Sequence, residues 1–384
     1  MKKIFISILI LIILCPLFVF AEEVEVVKSG RNAVLVEVST GKVLYEKNKD
    51  EQVSVASLTK MMAQIIILEE VEKGNLKWDE KITTSANAAG YGGTQIYLEP
   101  GEVMTVEELM KGISMASAND ATVALAERIA GSEEKFVDMM NEKAKQLGLK
   151  NTNFVNPTGL DEENHYSSAY DMALIGIELL KHEEIIRFSS LYEDYLRQDT
   201  PNKFWLVNTN KLIRTFDGAD GLKTGFTNNA GYTMAVTAKR SGMRLLAVVL
   251  GEDVSKVRNQ ETTDLLNYGF NLYKVETLKK KGDVVDKLKI SKGNEKEIDV
   301  ILDSDVTVLE EKSVSNKKYT EKVLLDEVSL PIKKNDKVGI LEIYDGNNKI
   351  GSYILVSSEN VNKKKFLNIY FDNLKNIITG NLDI

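Results

Sequence analysis

The apolar residues of this 384-residue chain change their period twice, from strand-like to helix-like and back, and that order restricts the fold more than any other feature. Ala33-Val34-Leu35-Val36-Glu37-Val38 alternates, turns at Ser39-Thr40-Gly41 and resumes as Lys42-Val43-Leu44-Tyr45, which reads as a β-hairpin. From Ser57 to Glu72 the spacing of Leu58, Met61, Met62, Ile65, Ile66 and Leu68 is helical and apolar on most sides, the mark of a buried helix, and Gly74 ends it. Thr105 and Glu108 form a capping box that opens a helix to about Met115. Further helices are expected from Asp120 to Gly131 and from Ser132 to Gly148, with Asn156-Pro157-Thr158-Gly159 as a loop. Strand-like runs return at Tyr232 to Thr237 and Arg244 to Leu250, joined through Ser241-Gly242, and a helical stretch from Ser255 to about Leu272 closes the region. Strands, many helices, strands and a helix predict an α+β domain, a helical cluster on an antiparallel sheet to which both ends contribute.

The length allows two or three domains. Lys279-Lys280-Lys281-Gly282 is a candidate linker, and beyond it short alternating runs at Val284 to Ile290, Ile298 to Leu302, Val323 to Leu325, Val338 to Tyr344 and Ile350 to Val356 predict a small all-β module with a turn at Asp345-Gly346-Asn347-Asn348. The expected division is 1–21 as a signal peptide, 22–277 as a catalytic domain, 278–362 as a β-sandwich-like domain and 363–384 as an amphipathic helix. Lys2 and Lys3, the apolar run Ile4 to Phe20 and Val19-Phe20-Ala21 have the form of a cleaved secretory signal. An uncleaved anchor and a lipoprotein signal at Cys15 are the other readings, the second opposed by Leu14 and Pro16 on either side. In the tail, Phe366, Leu367, Tyr370, Phe371, Leu374, Ile377 and Ile378 line one helical face behind three lysines, which suits either a membrane surface or docking on the β module.

Composition removes several chemistries. With 49 basic against 57 acidic residues the formal charge is -8, and it falls to -10 once the two leading lysines are cleaved, so no basic face for nucleic acid is expected. Cys15 is the only cysteine, and its loss with the signal suits an oxidising extracytoplasmic compartment. With His165 and His182 as the only histidines, no Cys/His metal site can be assembled, and neither a metal nor a cofactor is expected. A Ser-His-Asp triad would need one of those two imidazoles, and neither lies in a motif that calls for a base.

Three short motifs remain. In Ser57-Leu58-Thr59-Lys60, positions i and i+3 share a helix face, so hydroxyl and amine meet without a third group, and a desolvated lysine near other cations can act as general base. The spacing recurs at Ser39-Lys42, Ser132-Lys135 and Ser315-Lys318; Ser57 differs in opening a buried apolar helix. Ser117-Ala118-Asn119, just before Asp120 and a helix, offers a hydroxyl for proton relay and an amide for a lysine or a substrate carbonyl, with a helix N-cap as the alternative. Ser85-Ala86-Asn87 and Ser358-Glu359-Asn360 share that pattern. Lys223-Thr224-Gly225 occurs once, ahead of strand-like sequence; ammonium and hydroxyl suit a carboxylate and the glycine a close substrate backbone, with a turn between strands as the alternative.

Taken in order, with intervals of 60 and 106 residues, these segments resemble the three motifs of the penicillin-recognising serine enzymes. Asp220-Gly221-Leu222 before Lys223 and Ala230-Gly231-Tyr232 after it make the chain most similar to the low-molecular-mass D-alanyl-D-alanine carboxypeptidases, from about Val27 to Tyr273 and less specifically beyond. The resemblance implies Ser57 as acylated nucleophile, Lys60 as its base and Ser117 as proton donor to the departing D-alanine. It implies Asn119 as the group placing Lys60 and the peptide, Lys223, Thr224 and Gly225 as the carboxylate-binding segment, and the backbone amides of Ser57 and Phe226 as oxyanion hole. The implied substrate is the peptidoglycan stem pentapeptide or its lipid-linked precursor, with β-lactams as covalent inhibitors and a place at the outer face of the cytoplasmic membrane. Two departures stand out: Phe226 where some relatives have histidine, and Thr209 within Asn208-Thr209-Asn210-Lys211-Leu212 where some have arginine. A β-lactamase of this superfamily usually carries glutamate with asparagine four residues on, whereas Glu162 and Glu163 are followed there by Tyr166 and Ser167. A non-catalytic wall-binding relative would show a broken motif, and all three are intact.

Overall fold

The computed structural model describes residues 25–291, 293–314 and 317–364. The proposed signal peptide, Cys15, the apolar tail from Phe366 and the Ser315 copy of the serine-lysine spacing lie outside the described residues.

The first domain is built on five antiparallel strands: β1 (Asn32–Glu37), β2 (Lys42–Lys47), β3 (Ala219–Thr227), β4 (Gly231–Arg240) and β5 (Met243–Glu252). Their order is β2-β1-β5-β4-β3, so the N-terminal hairpin and the late strands share one sheet, and β3 is an edge. On one face lie α1 (Lys60–Glu72), α2 (Asn119–Ala130), α3 (Glu133–Gln146) and α4 (Ala169–Leu179), with Val34, Val36, Leu246 and Val248 pointing into that core. On the other lies α5 (Ser255–Leu272), meeting Ala33, Leu35, Leu245 and Ala247. Alternate residues of β1 thus enter different cores, and the whole strand is buried although one face alone would have explained its alternation. α1 runs between the other helices, and every residue from Lys60 to Leu68 is buried. At about 1.5–3 kcal/mol for each large apolar side chain, this helix is a main contributor to stability, and a charge at Ile65 would break it.

The capping box at Thr105 and Glu108 is formed as expected, but only Val106–Lys111 is α-helical. Gly112–Ala116 continues as a wider π turn that ends on Ser117 in the left-handed region, φ 63°. This ending lifts Ser117 out of the helix and sets the following chain at a new angle, into α2.

Among the described residues the second domain has seven strands: β6 (Tyr273–Lys279), β7 (Val284–Lys289), β8 (Glu297–Leu302), β9 (Val306–Glu311), β10 (Thr320–Leu325), β11 (Lys337–Asp345) and β12 (Asn348–Ser357). β6 pairs with β9, and the other five form a sheet in the order β7-β8-β12-β11-β10 around Ile298, Val300, Val338, Leu341 and Leu355. The expected linker at Lys279–Gly282 is instead the turn between β6 and β7; α5 passes straight into β6. β6 and β9 lie outside the strands expected from sequence; β6 follows α5 without a break, and its burial does not alternate.

Candidate active site

The nucleophile candidate sits in a tight connection. Val55 leads into a 3₁₀ turn over Ala56–Thr59, with Ala56 at φ 50°, and α1 starts only at Lys60. The helix was expected to begin at Ser57; the 3₁₀ turn instead brings residues three apart into register, because it has three residues per turn. Lys60 Nζ lies 2.9 Å from Ser57 Oγ and donates to the Thr158 carbonyl at 2.7 Å. Two glycines make room for this turn. A Cβ on Gly225 would stand 2.8 Å from the Ser57 amide, and one on Gly159, at φ +83°, would stand 1.9 Å from the Ala56 carbonyl oxygen. Gly225 therefore has a packing reason in the folded chain itself, beyond the close substrate backbone that the sequence suggests.

Lys60 has no exposed surface. Burial holds its pKa well below the ordinary lysine value, the nearby Lys223 cation lowers it further, and Asp120 opposes both. A neutral amine can donate one N–H to Thr158 and turn its lone pair to the Ser57 hydroxyl, the arrangement a general base needs.

The second motif is not a helix cap. Ala118 occupies the N-cap of α2 and makes no side-chain cap, while Ser117 Oγ is buried with no partner among the described residues. Asn119 donates from Nδ2 to the Gly92 carbonyl at 2.7 Å, and its Oδ1 is buried without a partner among the described residues. The lysine contact drawn for Lys60 goes to Thr158, not to Asn119. Asp120, fully buried, accepts from the backbone of Ile96, Leu98 and Ala121 and so fixes the 91–98 loop beside the motif.

Lys223-Thr224-Gly225 lies within edge strand β3, which excludes the turn reading. The Lys223 ammonium is buried, donates to the Thr224 carbonyl at 2.8 Å, and has its pKa lowered to about 7, first by burial and then by Arg258. Arg258, on α5, donates to the Thr233 carbonyl of the neighbouring strand at 3.2 Å and lies over the Tyr232 ring. Thr224 Oγ1 donates to Thr209 Oγ1 at 2.7 Å, and the Thr209 amide donates to Met115 at 3.0 Å, tying this strand to the turn that carries Ser117. Thr209, one of the two departures, therefore touches the Lys223-Thr224-Gly225 segment directly. Phe226, the other, is half exposed and packs on Tyr232 with ring centroids 4.4 Å apart.

Neither histidine contacts Ser57. His165 Nε2 bonds Thr59 Oγ1 at 2.8 Å, its Nδ1 accepts from Val155, and burial lowers its pKa to about 4, so it is a neutral brace. His182 bonds Glu72. Glu69, Glu178 and His182 could together face a metal ion, but the Lys143 ammonium bridges both carboxylates. A groove of about 740 Å³ lies between Ile96–Met104 and Arg197–Phe204, and none of the motif residues lines it.

Sequence reasoning gave no role to Thr158, Gly159, Asp161 or Arg258. The Asn-Pro-Thr-Gly turn signal marks the first two as a loop without saying what it covers, and Arg258 has no local signal for its link to the site because Thr233 and Tyr232 come from a strand earlier in the chain.

Fold and motifs together define a serine-type DD-peptidase of the penicillin-binding class. The D-alanyl-D-alanine carboxypeptidase family matches residues 20–254, and the C-terminal domain of penicillin-binding protein 5 matches residues 273–363. The chain is 46% identical over 344 residues to D-alanyl-D-alanine carboxypeptidase DacF of Bacillus subtilis, covering 89% of this chain and 88% of that one. It is 32% identical over 352 residues to DacA of Escherichia coli, covering 89% and 86%. Penicillin-binding protein 5 from Haemophilus influenzae superposes with a TM-score of 0.71 at 29% identity, over 87% of this chain and 98% of that one. Penicillin-binding protein D2 from Listeria monocytogenes in its ampicillin-bound form gives 0.57 at 33% identity, over 63% and 97%. The chain belongs to the D-alanyl-D-alanine carboxypeptidase family and is a serine-type carboxypeptidase of the cell wall.

Proposed function

We propose that the chain removes the terminal D-alanine from peptidoglycan stem pentapeptides through an acyl-enzyme on Ser57. The observation that carries this reading is the desolvated Lys60 amine placed between Ser57 Oγ and the Thr158 carbonyl. Lys60 takes the Ser57 proton as Oγ attacks the penultimate D-alanine carbonyl, and the amides of Ser57 and Phe226 receive the oxyanion; one such donor is worth about 3 kcal/mol of transition-state stabilisation. The C–N bond then breaks, Ser117 gives its proton to the departing D-alanine amine, and Lys60 returns one to Ser117. Water hydrolyses the ester. The unpartnered Asn119 Oδ1 is free to accept a substrate N–H. Lys223 and Thr224 hold the terminal carboxylate, with Gly225 leaving the edge strand open to the peptide.

The same reading takes 1–21 as a cleaved signal, moves the boundary between the two folded domains from the expected 277/278 to the passage of α5 into β6 at Tyr273, and takes 363–384 as a membrane-adsorbed helix, placing the enzyme extracytoplasmically at the outer face of the membrane. No helix of the described residues is long and apolar enough to cross a bilayer. β-Lactams acylate the same serine. Mass spectrometry after brief benzylpenicillin exposure locates the adduct: it is expected on the peptide containing Ser57 and absent, together with D-alanine release, from Ser57→Ala. An adduct elsewhere reassigns the nucleophile. A chain ending at Asn362 is expected to stop pelleting with anionic liposomes, and unchanged pelleting removes the membrane role of the tail.

A further inference from the structure

The Asp161 carboxylate lies at a junction of three segments. Its Oδ1 accepts from Ser54 Oγ at 3.0 Å and from Thr227 Oγ1 at 2.7 Å, and its Oδ2 accepts from the Asn229 amide at 3.4 Å. Ser54 stands three residues before Ser57, Thr227 one residue after Phe226, and Asp161 three residues after Thr158. One side chain thus joins the segments that carry the nucleophile, the second oxyanion amide and the carbonyl that holds Lys60.

The loop it fastens is stiff. Asn156 Oδ1 accepts from the Thr158 amide, the Thr158 hydroxyl and the Gly159 amide, and Asn156 Nδ2 donates to the Leu160 carbonyl and to Glu162. Gly159 rests directly on Ala56, so a stiff segment seated there transmits its position to the turn below. What the internal bonds of the loop do not fix is its placement relative to β3, and Asp161 supplies that through Thr227 and Asn229.

We propose that Asp161 is a positioning residue for acylation: it straps the 156–161 loop to Ser54 and Thr227, and so keeps the Thr158 carbonyl, and through it the Lys60 lone pair, aligned on the Ser57 hydroxyl. This rests on the function proposed above. The side chain touches no reacting atom, and its effect passes through Thr158.

The test uses the full chain with benzylpenicillin as acylating probe and a D-alanyl-D-alanine peptide as substrate. Labelling of Ser57 in the parent is established first; its failure overturns the underlying reading before any variant is compared. Asp161→Ala is expected to lower the acylation rate constant by about 10- to 100-fold, the scale of an ångström-sized misplacement, with KM changed by only a few-fold. Asp161→Asn keeps an oxygen for both hydroxyls and loses only the 3.4 Å contact, so it is expected to acylate at close to the parent rate. The pH profile separates positioning from simple loss of stability. Loosening the loop admits water to Lys60, whose pKa is lowered chiefly by burial, so the acid limb of acylation moves to higher pH in the alanine variant and stays in place in the asparagine variant. Lys223 on β3, Asp120 on α2 and His165 on the loop are the charged or titratable groups coupled to Lys60, and all three are unchanged in both variants. Should Asp161→Ala fail to fold, the double variant Ser54→Ala, Thr227→Val removes the two short bonds with Asp161 in place and is expected to show the same loss. Acylation at the parent rate in Asp161→Ala or in the folded double variant overturns the proposal, as does an asparagine variant as slow as the alanine one.

Discussion

Ser57 and Lys60 at the start of α1, and Ser132 and Lys135 at the start of α3, have the same residues at the same spacing and opposite fates. Ser132 is a helix cap: its Oγ accepts from the Lys135 backbone amide at 3.3 Å, and the Lys135 side chain is exposed. Ser39 spends its hydroxyl on the Glu37 carboxylate within a surface turn. At Ser57 the 3₁₀ turn leaves the hydroxyl uncommitted to the backbone, the lysine is buried, and a loop from about a hundred residues later supplies the third contact. Spacing alone does not make the pair; desolvation and the distant carbonyl do.

The widest separation between the two regions is expected from the lysines. Lys60→Ala should lower acylation by about 10²–10⁴-fold, the usual worth of a positioned base, while Lys135→Ala leaves it unchanged. Stopped-flow or quenched labelling with benzylpenicillin measures both, and equal rates in the two variants would show that Lys60 is not the base.

Next in size is the pH dependence of substrate binding. Burial, and then Arg258, bring the Lys223 pKa down to about 7, so its charge is present below that pH and lost above it. KM for a D-alanyl-D-alanine peptide is expected to rise above pH 7 by as much as about tenfold per unit, and Lys223→Arg, whose guanidinium stays charged, should flatten the rise. Stability runs opposite to substrate affinity in pH. The folded pKa is below the unfolded one, so the unfolded chain binds more protons between about 7 and the ordinary lysine value of 10.5, and stability climbs with pH across that window. Lys223→Met should therefore raise the melting temperature more at pH 6 than at pH 9. A gain independent of pH would mean that the buried ammonium is not the source of the cost.

Thr209 offers a smaller test of the same site. Its hydroxyl accepts from Thr224 Oγ1, and Thr209→Val removes that acceptor while keeping the shape. Loss of one neutral hydrogen bond, about 1 kcal/mol, predicts a KM several-fold higher with kcat little changed. No change in KM would mean that the Thr224 hydroxyl is oriented by the substrate alone.

Much of this was legible in the chain. The hairpin, α1, the capping box and α5 follow from local periodicity, and the α+β order follows from their succession. The contacts that decide the chemistry were not, for a physical reason. The turn that sets Ser57 beside Lys60 depends on Gly159 and Gly225 arriving from two other elements, and the lowered pKa of Lys223 depends first on burial and then on Arg258, on a helix packed against the far face of the sheet. Glycine and proline in Asn156-Pro157-Thr158-Gly159 announce a turn, but not that its carbonyl faces a lysine. The Lys279–Gly282 run shows the reverse error: charge and glycine mark a turn equally well inside a domain and between two, and only strand pairing distinguishes them.

The smallest effect closes the comparison from the other side. Ser132→Ala removes a cap and should cost about 1 kcal/mol of stability, read as a lower denaturation midpoint at unchanged m-value, with acylation at the parent rate. The cost falls on α3, where Ser132 satisfies an amide that the helix leaves without an intrahelical partner. Ser57→Ala removes a hydroxyl that caps nothing, so its stability should stay near that of the parent while labelling disappears. If Ser57→Ala destabilised the fold as much as Ser132→Ala, its hydroxyl would be held by the backbone as well, and the distinction between a committed and a free serine would fail.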